Sequence, residues 1–238
     1  MSPAKATHTA RQRARAELTR EIREEARRQL AETGAPGLSL RAVARELGMV
    51  SSALYRYFPS RDDLLTALII DAYNALGEAA EAAVAADPGR APRARWLAAC
   101  HAIRAWALEN PHEYALIYGS PVPGYQAPEA TIGPASRVPL AFARLLADAD
   151  VAGALRTGDA PALGDALAAQ ATVLATTLAE SGAVGVPPDA LVRAIIAWTQ
   201  LFGMISFELF GQFVGSFDPA DAAFDYAVAQ LVTFVGLE

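Results

Sequence analysis

The sequence predicts an all-α fold of about nine to ten helices, and three features carry that expectation. Of its 238 residues, 54 are alanine, the residue with the highest helix propensity. Apolar residues recur at three- and four-residue intervals, and the alternation of a half-buried strand is absent. Pro, Gly and Asn/Asp clusters fall between the apolar stripes and punctuate them as helix ends. A hydrophobic fraction of 53% with 19% charged residues excludes intrinsic disorder and suits one large domain or two smaller ones. The single Cys100 excludes an internal disulfide and a multi-thiolate metal site. The longest uncharged helix-compatible runs, 166–179 and 194–207, have 14 residues each. Crossing a bilayer takes about 20 residues, so both are expected as buried core helices of a cytoplasmic protein with no membrane contact. The first 30 residues lack the apolar core of a secretory signal.

Residues 1–11 are polar, with Pro3 and Lys5, and read as a flexible arm. Leu18, Ile22, Ala26 and Leu30 form one apolar stripe, predicting an amphipathic helix over 12–33 that Gly34, Pro36 and Gly37 end. Ser39 caps a short helix bearing Leu40, Val43, Ala44 and Leu47, and Gly48 follows as its left-handed C-terminal residue. A second short helix, about 51–57, carries Leu54, Tyr55, Tyr57 and Phe58 before Pro59-Ser60 break it. Ser60 with Asp63 is a capping box for a long helix whose apolar face holds Leu64, Leu65, Leu68, Ile69, Ala72, Tyr73 and Leu76. The stretch 87–92, Asp-Pro-Gly-Arg-Ala-Pro, is the clearest linker. Helical patterns continue over 93–109, 111–118, 131–151, 161–181, 188–215 and 219–236, with a Pro-rich loop at 119–130. Asn110-Pro111 and Asp218-Pro219 each read as a polar N-cap followed by Pro at the first helical position.

The net charge of −6 conceals two opposite regions. Residues 1–61 hold 12 Lys/Arg against 6 Asp/Glu, and residues 62–238 hold 8 against 20. A polyanion responds to the local field, so a basic end on an acidic chain points to nucleic acid. Arg11, Arg13, Arg15, Arg20, Arg23, Arg27 and Arg28 also fit the solvated face of an amphipathic helix. The next stretch, 39–58, reads as helix, tight glycine turn, helix, with Ala44 where the two must approach closely. In that plan the second helix enters the major groove of DNA while the first braces it. Ser51, Ser52, Tyr55, Arg56 and Tyr57 cluster on the second helix, with Arg41 and Arg45 just before it, a surplus of donors for phosphate oxygens and base edges. The competing reading is an all-α ligand-binding or catalytic protein whose N-terminal helices merely pack. A winged-helix regulator would need a β-hairpin where Pro59 leads into another helix.

The run "GLSLRAVARELGMVSSALYRYFPSRDDLL", 37–65, resembles the DNA-binding domain of the TetR family of bacterial transcriptional regulators. Ser39, Ala44, Leu47-Gly48, the 54–58 segment and the basic Arg61 carry the likeness, which extends over about 12–86. Family members often have Ser where this chain has Val50, so the first turn of the reading helix must be capped from elsewhere or start at Ser51. The resemblance implies a dimer, a three-helix reading head over 1–60, a connecting helix over 61–86, and a domain over 87–238 for ligand binding and dimerisation. It places Arg41, Ser52, Ala53 and Tyr55 on bases, and Ser39, Ser51, Tyr57 and Arg61 on phosphates. The segments 113–125 and 198–211 are similar to the TetR C-terminal subgroup named for a Trp-His-Gly signature, with Trp198 and Gly203 matching and Phe202 at the His position. The expected function is a repressor released from a palindromic operator by a small lipophilic effector.

A ligand site needs an apolar, concave wall with a few polar points. Trp96, Cys100, Ile103, Phe142, Trp198 and Phe202 are candidates for the wall, and Tyr114, Tyr118, Thr177 and Gln200 for the polar points; an aromatic core is the competing reading. Helix 188–215 is apolar around most of its circumference. With 219–236, including Phe224, Ala227, Val228, Leu231 and Val235, it is expected to form half of an intermolecular four-helix bundle. No catalytic residue, metal ligand or cofactor is expected, for the chain lacks a Gly-rich phosphate loop, a nucleophile elbow and a metal-binding His pair. Cys100 and His101 are adjacent and point about 100° apart on a helix, which does not suit a nucleophile and its base.

Overall fold

The computed structural model describes residues 3–156 and 161–237. The helices are α1 (Pro3–Gly37), α2 (Leu40–Glu46), α3 (Ser51–Leu54), α4 (Arg61–Ala85), α5 (Pro92–Glu109), α6 (Pro111–Tyr118), α7 (Ile132–Val151), α8 (Asp165–Glu180), α9 (Pro188–Leu209) and α10 (Asp221–Val235). Among the described residues there is no strand, only an isolated bridge between Leu155 and Leu237, so the fold is all-α. The chain forms two contact units. The first comprises 1–72 and 112–131; the second comprises 73–111 and 132–238, and α4 lends its first half to one and its second half to the other.

In the first unit the predicted stripe of α1 is buried at Ile22, Ala26 and Leu30, as are Leu40, Val43 and Ala44 of α2, Leu54 of α3 and Leu64, Leu65 and Leu68 of α4. The arm expected over 1–11 is helical from Pro3 onward, and residues 1–2 lie outside the described residues. Ala4, Ala6 and Ala10 are strong helix formers, and Pro3 is tolerated at the first position because its missing N–H has no intrahelical partner there. The expected break falls at Gly34, whose φ is 69°. The α1 arginines on the side of α4 and α6 are held by carboxylates. Arg27 Nη2 donates to Asp71 Oδ2 at 2.7 Å and its Nε to Glu113 Oε1 at 3.0 Å, while Arg23 Nη1 reaches Asp71 at 3.1 Å. Thr66 and Tyr125 share a hydrogen bond of 2.9 Å that ties the 119–130 loop to α4.

In the second unit α5 is central, burying Trp96, Ala99, Cys100, Ile103 and Ala107. Arg104, buried on the same helix, donates from Nε and Nη2 to both oxygens of Glu208 at 2.8 and 2.6 Å, and from Nη1 to Asp221 at 2.9 Å. Its guanidinium lies 4.9 Å from the Phe224 ring centroid, so a single cation ties α9 and α10 to α5. A second tie joins α7 to the latter half of α4. Arg137 chelates Glu81 at 3.0 and 2.6 Å and donates to the Asn74 carbonyl at 2.8 Å. That seam is close: a Cβ on Gly77 would sit 2.6 Å from Arg137 Cβ.

Several helix ends differ from those expected. Asn110 does not cap α6; its side-chain amide donates to the Trp106 carbonyl at 2.9 Å and so closes α5. Helix α8 starts at Asp165 rather than 161, beyond Pro161 and Gly164. Helix α9 stops at Leu209 rather than 215, and 210–217 are turns or bends. Helix α10 starts after Ala220, which leaves Asp218 two residues too early to cap it. Its apolar residues Phe224, Val228, Leu231 and Val235, expected at an intermolecular face, are buried within the chain.

Candidate nucleic-acid interface and apolar cavity

The turn between α2 and α3 is set by local chemistry. Ser39 Oγ accepts from the Ala42 N–H at 3.4 Å, capping α2. Gly48 has φ 64°, a left-handed conformation that a Cβ disfavours, and the next N–H, that of Met49, donates to the Ala44 carbonyl at 2.8 Å. Ala44 is fully buried beneath this turn. The reading helix α3 begins at Ser51, with Val50 at the cap position contributing no side-chain hydrogen bond. It runs only to Leu54, not to 57. The N–H of Tyr57 bonds the Leu54 carbonyl at 2.8 Å in a tightened turn ahead of Pro59, and the residue before a proline avoids helix. Ser60 Oγ accepts from the Asp63 N–H at 3.1 Å and donates to its carboxylate at 2.6 Å, which starts α4.

Leu54 and Phe58 anchor α3 in the core, and the polar residues around them face outward. Arg41, Ser52, Tyr55 and Arg56 are exposed, while Ser39, Ser51, Ala53 and Tyr57 are half-buried. Tyr55 retains 42% of its surface. Arg61 is placed differently from the rest: its guanidinium donates to the carbonyls of Leu38 at 3.2 Å and Ala35 at 2.6 Å, bracing the α1–α2 turn. Arg56, one of the expected donors of the second helix, lies with Arg11 and Arg15 beside this surface.

In the second unit a cavity of about 230 Å³ opens between α7, α8 and α9, lined by Pro139, Phe142, Leu174, Leu178, Leu191 and Trp198 among others. Of the residues expected at a ligand site, the structure brings Phe142 and Trp198 into its wall. Trp96 packs against Phe142 with ring centroids 4.3 Å apart, and Phe202 against Trp198 at 5.5 Å, which makes both neighbours of the wall rather than part of it. Cys100 and Ile103 are core residues with no exposure. Burial pushes the Cys100 thiol well above its ordinary pKa, so it stays protonated and inert. Tyr114 and Tyr118 belong to the first unit, where their rings lie 5.2 Å apart. Thr177 turns its hydroxyl onto its own helix, donating to the Val173 carbonyl at 3.2 Å, and Gln200 is exposed. The expected polar points are therefore elsewhere. The buried indole N–H of Trp198 has no acceptor among the described residues.

Among the described residues no group of His, Cys, Asp and Glu could hold a metal. Helix α9 is long and apolar enough to cross a membrane by length and composition. It buries Leu191, Ala194, Ala197, Leu201, Phe202 and Ile205 within the chain, as a core helix does.

The geometry defines an all-α helix-turn-helix protein whose reading helix presents donors to solvent, joined to a second helical unit. Comparison with known proteins agrees. Residues 22–68 match the profile of bacterial regulatory proteins of the tetR family, and 96–231 that of the tetracyclin repressor-like C-terminal domain. The chain is 42% identical over 203 residues to HTH-type transcriptional regulators of Mycobacterium tuberculosis (Rv1816) and Mycobacterium bovis (Mb1846), covering 84% of each chain in both cases. A crystal structure of a regulatory protein, SCO4313, superposes with a TM-score of 0.72 at 36% identity, covering 93% of this chain and 98% of that one. A protein of unknown function from Rhodococcus sp. RHA1 superposes with a TM-score of 0.67 at 26% identity, covering 92% and 95%. The chain belongs to the TetR family: it is a DNA-binding transcriptional regulator, and operator binding and dimerisation come with that membership.

Proposed function

We propose that the protein is a cytoplasmic repressor that leaves a palindromic operator when a small apolar effector enters the cavity between α7, α8 and α9. The observation that carries the DNA half is the outward placement of Arg41, Ser52 and Tyr55 around a reading helix whose apolar side is buried. Arg41, Ser52, Ala53 and Tyr55 meet base edges in the major groove, and Ser39, Ser51 and Tyr57 meet phosphates. Arg61 contributes by holding the α1–α2 turn, because its donors lie on backbone carbonyls.

Two copies associate through α8 and α9. Ile195, Ile196 and Phe207 of α9 and Phe210 just beyond it are exposed, as are Leu167 and Val173 of α8, whereas on α10 Phe224, Val228, Leu231 and Val235 are buried and only Tyr226 and Phe234 are exposed among its large apolar residues. A two-fold pair of reading heads calls for half-sites about 34–36 Å apart, hence a palindrome.

The effector is small and uncharged, because the cavity wall is almost wholly apolar and contains no ionic side chain. Its route to DNA starts at α7. Pro139 and Phe142 line the cavity, and Arg137, less than a turn away, grips Glu81 and Asn74 of α4. Helix α4 runs on unbroken into the DNA-binding unit, so a shift of α7 is delivered to the reading head. Linkage requires operator to weaken effector binding by the same factor.

The test is a gel shift with the protein's own promoter region across a salt series. Wild-type affinity should fall steeply with salt. Arg41→Ala should weaken specific binding by about 1–3 kcal/mol, roughly 5- to 160-fold. Failure of the wild type to shift any promoter duplex at low salt would refute the assignment.

A further inference from the structure

We propose that Arg11 and Arg15, with Arg56 beside them, form a clamp for a backbone phosphate of the duplex, lateral to the helix-turn-helix; this rests on the DNA-binding reading above. The arginines of α1 divide into two groups by their partners. Arg20 pairs with Glu17 and Glu24, Arg23 and Arg27 with Asp71, and Arg28 with Glu25 and Glu32. Arg11, Arg13 and Arg15 have no carboxylate partner among the described residues, nor does Arg56. The acids that pair at i±3 and i±4 with the later arginines of α1 begin at Glu17, so Arg11 and Arg13 lie in a stretch with no carboxylate to offset them.

The unpaired group is also the one beside the reading helix. Arg11, Arg15 and Leu18 recur at helical spacing on one face of α1, and that face borders a cleft of about 340 Å³ completed by Ala53, Arg56 and Tyr57. Arg15 is held in place there. Its Nη2 donates to the Arg56 carbonyl at 3.3 Å, and its guanidinium lies 5.1 Å from the Tyr57 ring centroid. One of its five N–H donors is engaged and the rest remain, while Arg11 makes no hydrogen bond or ion pair among the described residues. Three guanidinium groups around one cleft repel one another, and a phosphodiester between them converts that repulsion into charge-assisted hydrogen bonds. Ala53 and Tyr57 border the cleft and also belong to the expected DNA-contact set, so the backbone strand flanking the groove passes within reach.

Fluorescence anisotropy of a labelled promoter duplex, with the full chain in 50–200 mM NaCl, tests the clamp. Arg11→Ala removes an exposed side chain without partners, so the fold is undisturbed, and Arg13→Ala removes the same charge from another face of α1. Loss of one phosphate contact per protomer lowers the log–log salt slope by about 0.9, or roughly 1.8 for a dimer. The affinity ratio of wild type to Arg11→Ala should therefore shrink about twelvefold between 50 and 200 mM, on promoter and random duplex alike, with Arg13→Ala near wild type. An Arg11→Ala slope equal to that of wild type or of Arg13→Ala overturns the clamp while leaving the DNA-binding reading intact. A wild-type chain that binds no duplex overturns both.

Discussion

The closeness of α7 to α4 at Gly77 makes a prediction in which two effects of opposite sign compete. Replacing a helical glycine by alanine ordinarily gains about 0.8–1.0 kcal/mol, because the unfolded chain loses freedom and the helix gains propensity. At Gly77 the new Cβ would lie 2.6 Å from Arg137 Cβ and 3.0 Å from its Cδ and Nε. The nearest atom is the root of the arginine side chain, so a rotamer change cannot clear it, and α7 must move away from α4. Overpacking of this kind costs about 1–3 kcal/mol, which outweighs the propensity term. The same movement stretches the Arg137 bonds to Glu81 and Asn74. Gly133, in the first turn of α7, supplies the control, because a Cβ there meets nothing within 4 Å. Gly77→Ala should be less stable than wild type, and Gly133→Ala equal to it or more stable by up to about 1 kcal/mol. At about 2–4 °C per kcal/mol for a chain of this size, thermal midpoints of the two variants should separate by several degrees, readable by circular dichroism at one protein concentration. Equal midpoints, both above wild type, would show that the seam is looser than described and would remove it as the proposed route from cavity to α4.

Arg104→Met leaves Glu208 without its cation and should cost about 3 kcal/mol, whereas the pair Arg104→Met with Glu208→Leu should recover most of that loss; urea titration of both variants measures the difference. Hydrogen bonds from Arg137 hold the Glu81 carboxyl below its ordinary pKa, so its contribution is present above the unfolded value of about 4.3 and disappears as pH falls through the folded one. Glu81→Gln should accordingly be less stable at neutral pH and converge on wild type at low pH, as thermal melts across pH 3–7 would reveal. Cys100 is buried with a raised pKa, so Ellman's reagent should label it only in denaturant; prompt labelling of the native chain would contradict its placement in α5.

The parts of the fold that were legible in the sequence are those fixed by local chemistry. The stripe of Ile22, Ala26 and Leu30, the Ser39 cap, the Gly48 turn and the Ser60–Asp63 pair depend on residues within a turn or two of each other, and each is found as expected. Errors gather where a distant partner decides. Nothing near Arg61 shows that two carbonyls across the α1–α2 turn will take its donors. The polar points chosen for the cavity failed similarly: Thr177 satisfied its hydroxyl within its own helix, and Tyr114 fell in the other contact unit. The face of α10 is as apolar as an interface, but α5 and α9 cover it. For Arg11 and Arg15 a signal did exist: the absence of acidic residues before Glu17 separates them from the paired arginines that follow.

Helix α8 carries charge only at Asp165 and Glu180, and buries only Ala171 within the chain. A solitary copy in water thus keeps a nearly neutral rod wet, next to the uncovered Ile195, Ile196 and Phe207. The association proposed above hides such a surface and would therefore add to stability in proportion to the logarithm of concentration. Dilution then acts on this regulator as a mild denaturant. A cell holding few copies would lose them to proteolysis faster than one holding many, so the abundance of the regulator feeds back on its own lifetime.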